Sequence, residues 1–171
     1  HRMSNSSEAD ERTLREIYFP AFETAVKKAQ PYTFMCSYNQ INGIFASENK
    51  WLLTDVLRSD WGFKGYVMSD WGAVNDRVRG LKAGLELEMP SSGGANDALI
   101  VAAVKDGSLK EEILDQAVER ILRIIFEYVD HRAPQEFTME KDHEEARHIA
   151  EESMVLLKND ENILPLKTSE K

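Results

Sequence analysis

Gly65-Tyr66-Val67-Met68-Ser69-Asp70-Trp71-Gly72 decides how this chain is read. Tyr66, Val67 and Met68 form an apolar run bounded by glycine, the pattern of a short strand covered on both faces. The run ends on a carboxylate and an indole. Packing does not require an acidic side chain where a buried strand gives way to a loop. In parallel α/β folds the carboxyl ends of strands are where chemistry collects. An Asp beside a Trp suits a sugar, because the carboxylate attacks or hydrogen-bonds while the indole face stacks on the apolar face of the ring. The same residues also fit an Asp that caps the next helix, with the Trp in the core.

Two further runs repeat the pattern. Thr33-Phe34-Met35-Cys36-Ser37-Tyr38-Asn39 is apolar and ends in polar groups, and Ala83-Gly84-Leu85-Glu86-Leu87-Glu88-Met89-Pro90 reads as a third strand. Helical patterns lie between them. Asn49 is placed to cap a helix carrying Trp51, Leu52, Leu53, Val56 and Leu57, and Asn75 to cap another through Val78 and Leu81. Strands alternating with helices at this spacing predict right-handed βαβ crossovers and an α/β fold with a parallel sheet.

Composition excludes several classes. Of 171 residues, 42% are hydrophobic and 30% charged, as expected of a globular piece. The net charge of -9 argues against nucleic acid and anionic membrane surfaces as partners. No apolar stretch reaches transmembrane length. The single cysteine, Cys36, sits inside an apolar strand and reads as a small core residue, so no internal disulfide forms. Gly-x-Gly-x-x-Gly and the phosphate-binding P-loop are both missing, and no cofactor is expected. His143 and His148 are five residues apart, which misses the i, i+4 geometry of a helical metal pair, so no metal is expected either. Asn5-Ser6-Ser7 matches a glycosylation sequon.

The remainder reads as scaffold. Ser7 through Asp10 resembles a capping box opening a helix with Leu14, Ile17, Phe22, Ala25 and Val26, which Pro20 kinks or divides. Asn96 is placed to cap a helix burying Leu99, Ile100 and Val104, closed by Gly107. From Leu109 to Val129 runs the strongest amphipathic pattern, with Ile113, Leu114, Ala117, Val118, Ile121, Leu122, Ile125 and Phe126 as its buried stripe. Pro134 ends it, and Thr138 to Asn159 predicts a last helix rich in Glu, Lys and His.

Several motifs, in order, resemble glycoside hydrolase family 3, the β-glucosidase group. They are Glu11 to Tyr18, Asn39-Gln40-Ile41-Asn42-Gly43, Leu57-Arg58-Ser59-Asp60-Trp61-Gly62-Phe63-Lys64-Gly65, Ser69-Asp70-Trp71, Ala83 to Pro90, and Val155-Leu156-Leu157-Lys158-Asn159 followed by Leu164-Pro165-Leu166. The resemblance implies the C-terminal part of a (β/α)8-type, TIM-like barrel over residues 1–130. Residues 131–171 would then be a linker, helical and then extended, leading to a missing α/β sandwich domain. It also implies that the family's Lys-His motif and early barrel strands precede His1, and that the general acid/base Glu follows Lys171. The chain opens at His1 rather than Met, so secretion is left open.

By the same resemblance Asp70 matches the catalytic nucleophile of a retaining β-glucosidase. Trp71 matches the indole lining the first sugar subsite, and Tyr38 the tyrosine whose hydroxyl lies near the nucleophile. Arg2 falls where the family has a sugar-binding arginine. Met35 and Glu88 lie near the same strand ends. Glu86 departs from the Gly-Leu-Asp run expected of the family, keeping the charge and adding a methylene. The implied substrate is a β-glucoside or oligosaccharide, and the implied partners are the rest of the barrel and the C-terminal domain. A partial barrel leaves sheet edges unpaired, so self-association into an oligomer is expected. The alternatives are a β-xylosidase-type member, although Trp71 after Asp70 leans toward glucosidase, and a non-catalytic sugar-binding or scaffold remnant.

Overall fold

The computed structural model describes residues 2–134 and 137–166. The chain forms two compact units, His1–His131 and Arg132–Lys171. In the first unit a short helix α1, Glu11–Thr13, runs on into a wider π-turn, Leu14–Tyr18, closed by the Phe19 amide on the Leu14 carbonyl at 2.8 Å. Helix α2, Pro20–Ala29, follows at once. Pro20 takes its first position, where a missing N–H costs nothing, so the expected break is two abutting helices. The cap of α1 is Asp10, which accepts the Thr13 amide at 2.7 Å. Ser7 is not part of it, because Ser7 pairs with Ile41 in a small sheet.

That sheet joins β1 (Ser6–Ser7), β3 (Gln40–Ile41) and β4 (Ile44–Phe45) in the order β1-β3-β4. The β3–β4 hairpin turns on Asn42-Gly43, both at positive φ, as the tightest hairpin turn requires. The second sheet pairs β2 (Thr33–Cys36) in parallel with β5 (Tyr66–Ser69), with Cys36 opposite Ser69. Gly65 makes that pairing possible: a Cβ there would lie 2.1 Å from the Tyr32 carbonyl oxygen.

Between the two strands, a helix with i→i+5 hydrogen bonds spans Trp51–Asp60, the Trp61 amide reaching the Val56 carbonyl at 3.1 Å. Asn49 caps it as expected, its Oδ1 accepting the Leu52 amide at 3.0 Å. Its buried face, Leu53, Val56 and Leu57, meets Val26, Cys36, Trp61, Phe63, Val67 and Leu85 in the main core.

The expected third strand shrinks to one parallel bridge, Met68 to Leu87. Residues 83–85 still belong to the end of α3, Arg77–Ala83, because the Leu85 amide bonds back to the Gly80 carbonyl. Pro90 has no N–H to offer a ladder. Helix α3 is capped by Asp76 rather than Asn75, Asp76 accepting the Arg79 amide at 2.9 Å. Glu86 is buried beneath β5, its side chain 1% exposed. It accepts hydrogen bonds from Arg58 at 2.8 Å, Arg120 at 2.7 Å and the Val67 amide at 2.7 Å.

Helix α4, Ala95–Lys105, is capped by Gly94, not Asn96. Asn96 lies in its first turn and donates to Glu88 at 2.6 Å. Ile100 and Ala103 are buried there, while Leu99 is exposed. Helix α5, Glu111–Asp130, has the predicted periodicity, yet its stripe is only partly covered. Ala117 packs with Leu81, Ile100, Ala103 and Leu109, and Ile113 and Leu114 lean on that cluster. Val118, Leu122, Ile125 and Phe126 remain exposed.

In the second unit, α6 covers Met139–Ser153 and stops short of the predicted Asn159, because Met154 turns to extended backbone. No helix among the described residues is long and apolar enough to cross a membrane.

Candidate active site

The parallel register of β2 and β5 sends both chains out at the same sheet end. Tyr38 lies two residues beyond β2, and Asp70 and Trp71 follow β5 directly. The Asp70 amide donates to the Cys36 carbonyl at 3.2 Å, continuing the ladder one step past the strands. Asp70 is half-buried, and its Oδ1 accepts the Trp71 amide at 2.6 Å. It does not cap the next helix, since that cap is Asp76. Trp71 is 63% exposed, so its indole is not a core side chain.

The Tyr38 hydroxyl donates to the Trp71 carbonyl at 2.8 Å. Burial first, and then the nearby Asp70 carboxylate, pushes the Tyr38 phenol above its ordinary range. The Arg2 guanidinium stands over the Tyr38 ring, 5.1 Å from its centroid. The structure therefore brings Arg2, Tyr38, Asp70 and Trp71 to one sheet end, linked in a chain of contacts. Met35 is exposed, and Glu88 is held by Asn96.

The loop after Asp70 is pinned from several elements. The Gly72 amide donates to the Met89 carbonyl at 2.8 Å, and the Ala73 amide to the Asp70 carbonyl at 3.0 Å. The buried Ser47 hydroxyl donates to the Ala73 carbonyl at 3.0 Å, and Glu48 accepts the Asp76 amide at 3.0 Å. Within β5, Ser69 accepts the Met89 amide at 2.8 Å through its hydroxyl. Sequence reasoning passed over Ser47, Glu48 and Ser69 as supports. A serine inside an apolar strand was the available signal for Ser69; nothing local singled out Ser47 or Glu48.

Two other properties bound the chemistry. Among the described residues no group of three or more His, Cys, Asp or Glu side chains is arranged to hold a metal. A concavity of about 440 Å³ in this unit is an apolar trough walled by Phe19, Phe34, Cys36, Leu53, Trp61 and Val67. Neither Asp70 nor Tyr38 nor Trp71 lines it, so volume alone does not mark the site. A sugar needs converging polar groups, and those stand at the strand ends.

The family model for the Glycosyl hydrolase family 3 N terminal domain matches residues 1–124. The chain belongs to glycosyl hydrolase family 3. It is 56% identical over 169 residues to thermostable β-glucosidase B of Acetivibrio thermocellus, covering 98% of this chain and 22% of that protein. It is 49% identical over 177 residues to an exo-α-(1→6)-L-arabinopyranosidase of Bifidobacterium breve, covering 97% of this chain and 23% of that one. Among solved structures, the family 3 β-glucosidase of Bifidobacterium adolescentis superposes with a TM-score of 0.88 at 50% identity, over 96% of this chain and 24% of that one. The chain thus spans less than a quarter of the length of these family 3 relatives.

Proposed function

We propose that this family 3 chain supplies the nucleophile of a retaining β-glucosidase, acting on terminal β-D-glucosyl residues, and that Asp70 is that nucleophile. The observation that carries the reading is the half-buried Asp70 at the end of β5, with the exposed Trp71 indole beside it and the Tyr38 hydroxyl held on the Trp71 carbonyl. Trp71 N–H engages Oδ1, which leaves Oδ2 to attack. Attack at the anomeric carbon forms a glycosyl ester as the glycosidic C–O bond breaks, and the leaving oxygen takes a proton from a general acid. Water then cleaves the ester and restores the carboxylate. The family resemblance assigns the general acid to a second domain. Trp71 stacks on the bound ring, and Tyr38 and Arg2 form the adjoining wall.

Residues 1–130 are, in this reading, the later part of the family barrel, and residues 131–171 lead toward the sandwich domain. The rest of the barrel covers the apolar trough and the exposed stripe of α5. A pentopyranoside substrate is the second reading, favoured by the relative named an exo-α-(1→6)-L-arabinopyranosidase; a β-xyloside is also a pentopyranoside. A non-catalytic remnant is disfavoured by the retained linkage of Tyr38, Asp70 and Trp71.

The test is rescue of Asp70→Gly in the full-length protein. The variant should lose turnover of an aryl β-glucoside, and azide should restore it by taking the vacated place, yielding the α-glucosyl azide. Rescue with retained β configuration, or full activity without azide, would overturn the assignment. Parallel assays with aryl β-xyloside and α-L-arabinopyranoside separate the sugar classes.

A further inference from the structure

At the opposite end of β5 from Asp70 lies a cavity of about 280 Å³ that the proposed chemistry leaves unused. Gln116, Arg120 and Arg123 line it from α5, and Arg58, Phe63 and Lys64 from the segment that leads into β5. Four of these side chains are cationic. Two carboxylates answer them: Glu119 pairs with Arg123 at 2.6 Å, and the buried Glu86 pairs with both Arg58 and Arg120. Two positive charges are left over. Lys64 makes no ion pair among the described residues.

The donors outnumber their partners as well. Among the described residues, Arg120 engages one Nη, on Glu86, and Arg123 one, on Glu119. The Arg58 side chain is 9% exposed, with Nη1 on the Gly65 carbonyl at 2.9 Å and Nη2 on Glu86, so the free donors facing the cavity are those of Lys64, Arg120 and Arg123. Phe63 lies against the Arg58 guanidinium, 5.2 Å from ring centroid to Cζ, and holds its plane. Arg120 and Arg123 are three residues apart on one helix face, each with a single carboxylate partner.

We propose that this cavity binds a tetrahedral oxyanion: a phosphate group, either free or carried as a phosphomonoester. Guanidinium forks match phosphate oxygens in pairs, and an ammonium adds a mobile third donor. A phosphate carries about −1.5 to −2 charges at neutral pH, which balances the two surplus cations. Because the cavity flanks the start of β5 and Asp70 follows its end, occupancy leaves the sugar site open.

Calorimetric titration of the full-length protein with inorganic phosphate, at ionic strength held constant with sodium chloride, tests this. Saturable binding with a Kd of about 1 mM or tighter is expected. Lys64→Glu with Arg123→Glu should weaken it by about tenfold or more, with glucoside hydrolysis unchanged. Should that double variant misfold, Lys64→Ala alone, at an exposed position, is expected to weaken binding measurably. Equal affinity for phosphate and methyl phosphate identifies the free ion as ligand, and tighter binding of the ester identifies a phosphomonoester. Heats that match those of added chloride, or undiminished binding by the variants, would overturn the proposal.

Discussion

Glu86→Ala is predicted to destabilise the first unit by about 3–5 kcal/mol, the loss expected when one partner of a buried ion pair is removed. The side chain is 1% exposed, so water does not take its place. Arg58 loses both of its 2.8 Å contacts and is too buried to turn outward. Burial already presses its pKa below the ordinary arginine range, while Glu86 is the nearby charge that favours the cation. Arg120 is 27% exposed and can swing into water, so its share of the loss is small. The Val67 amide loses an acceptor at 2.7 Å, and an unsatisfied buried amide costs about 1–3 kcal/mol. Against a total stability of about 5–15 kcal/mol, the change is severe. Glu86→Asp keeps the charge but withdraws it by one methylene, and should cost about 1.5–3 kcal/mol, the scale of one hydrogen bond to a charged group. Urea unfolding of the full-length protein, followed by the fluorescence of Trp51 and Trp61, reads the difference. Replacing the pair together, Arg58→Met with Glu86→Leu, should recover the share of the loss owed to Arg58, since a buried pair exchanged for apolar side chains is often neutral, while the Val67 amide stays without its acceptor. A Glu86→Ala loss below about 1 kcal/mol, or no recovery in the paired variant, would refute the reasoning.

Trp71→Ala should weaken glucose binding by roughly 1–3 kcal/mol, read as an inhibition constant, and leave the melting temperature in place because the indole is exposed. Burial pushes the Cys36 thiol up to about 11 from its ordinary 9.0, so the folded state favours the neutral thiol. That contribution, about 2–3 kcal/mol, is complete below pH 9 and is lost as pH rises toward 11. Cys36→Ala should therefore flatten the alkaline limb of a stability–pH curve, and an equally steep limb would contradict the account. The 171-residue chain alone should turn over no aryl β-glucoside above an Asp70→Ala blank, because the proposed mechanism takes general acid catalysis, worth roughly 10²–10⁴-fold, from a second domain.

The parts of the fold legible in the sequence were those written in short-range patterns. The apolar runs at 33–36 and 66–69 and the capping Asn49 read directly, because period and cap chemistry are local. Caps were missed by a residue or two where several candidates adjoin: Asp76 beside Asn75, and Gly94 beside Asn96. The third strand failed because Leu85 completes a helix cap through a contact with Gly80 that no strand pattern reveals. The α5 stripe is legible as apolar, but its expected burial is not met at Val118, Leu122, Ile125 and Phe126, because burial depends on what covers a face. At the candidate site, Asp70, Trp71 and Tyr38 stood out as polar or aromatic ends of apolar runs. Ser47, Glu48 and the double arginine clasp on Glu86 act across 26 residues or more, so only the folded chain displays them.

The most direct test of the central claim is covalent trapping. A 2-deoxy-2-fluoro-glucosyl fluoride, incubated with the full-length protein and followed by peptide mass spectrometry, should leave one fluoroglucosyl group on the peptide carrying Asp70, stable until transfer to water or an added sugar acceptor. A label on any other carboxylate, or inactivation without a covalent adduct, would contradict the assignment of Asp70 as nucleophile.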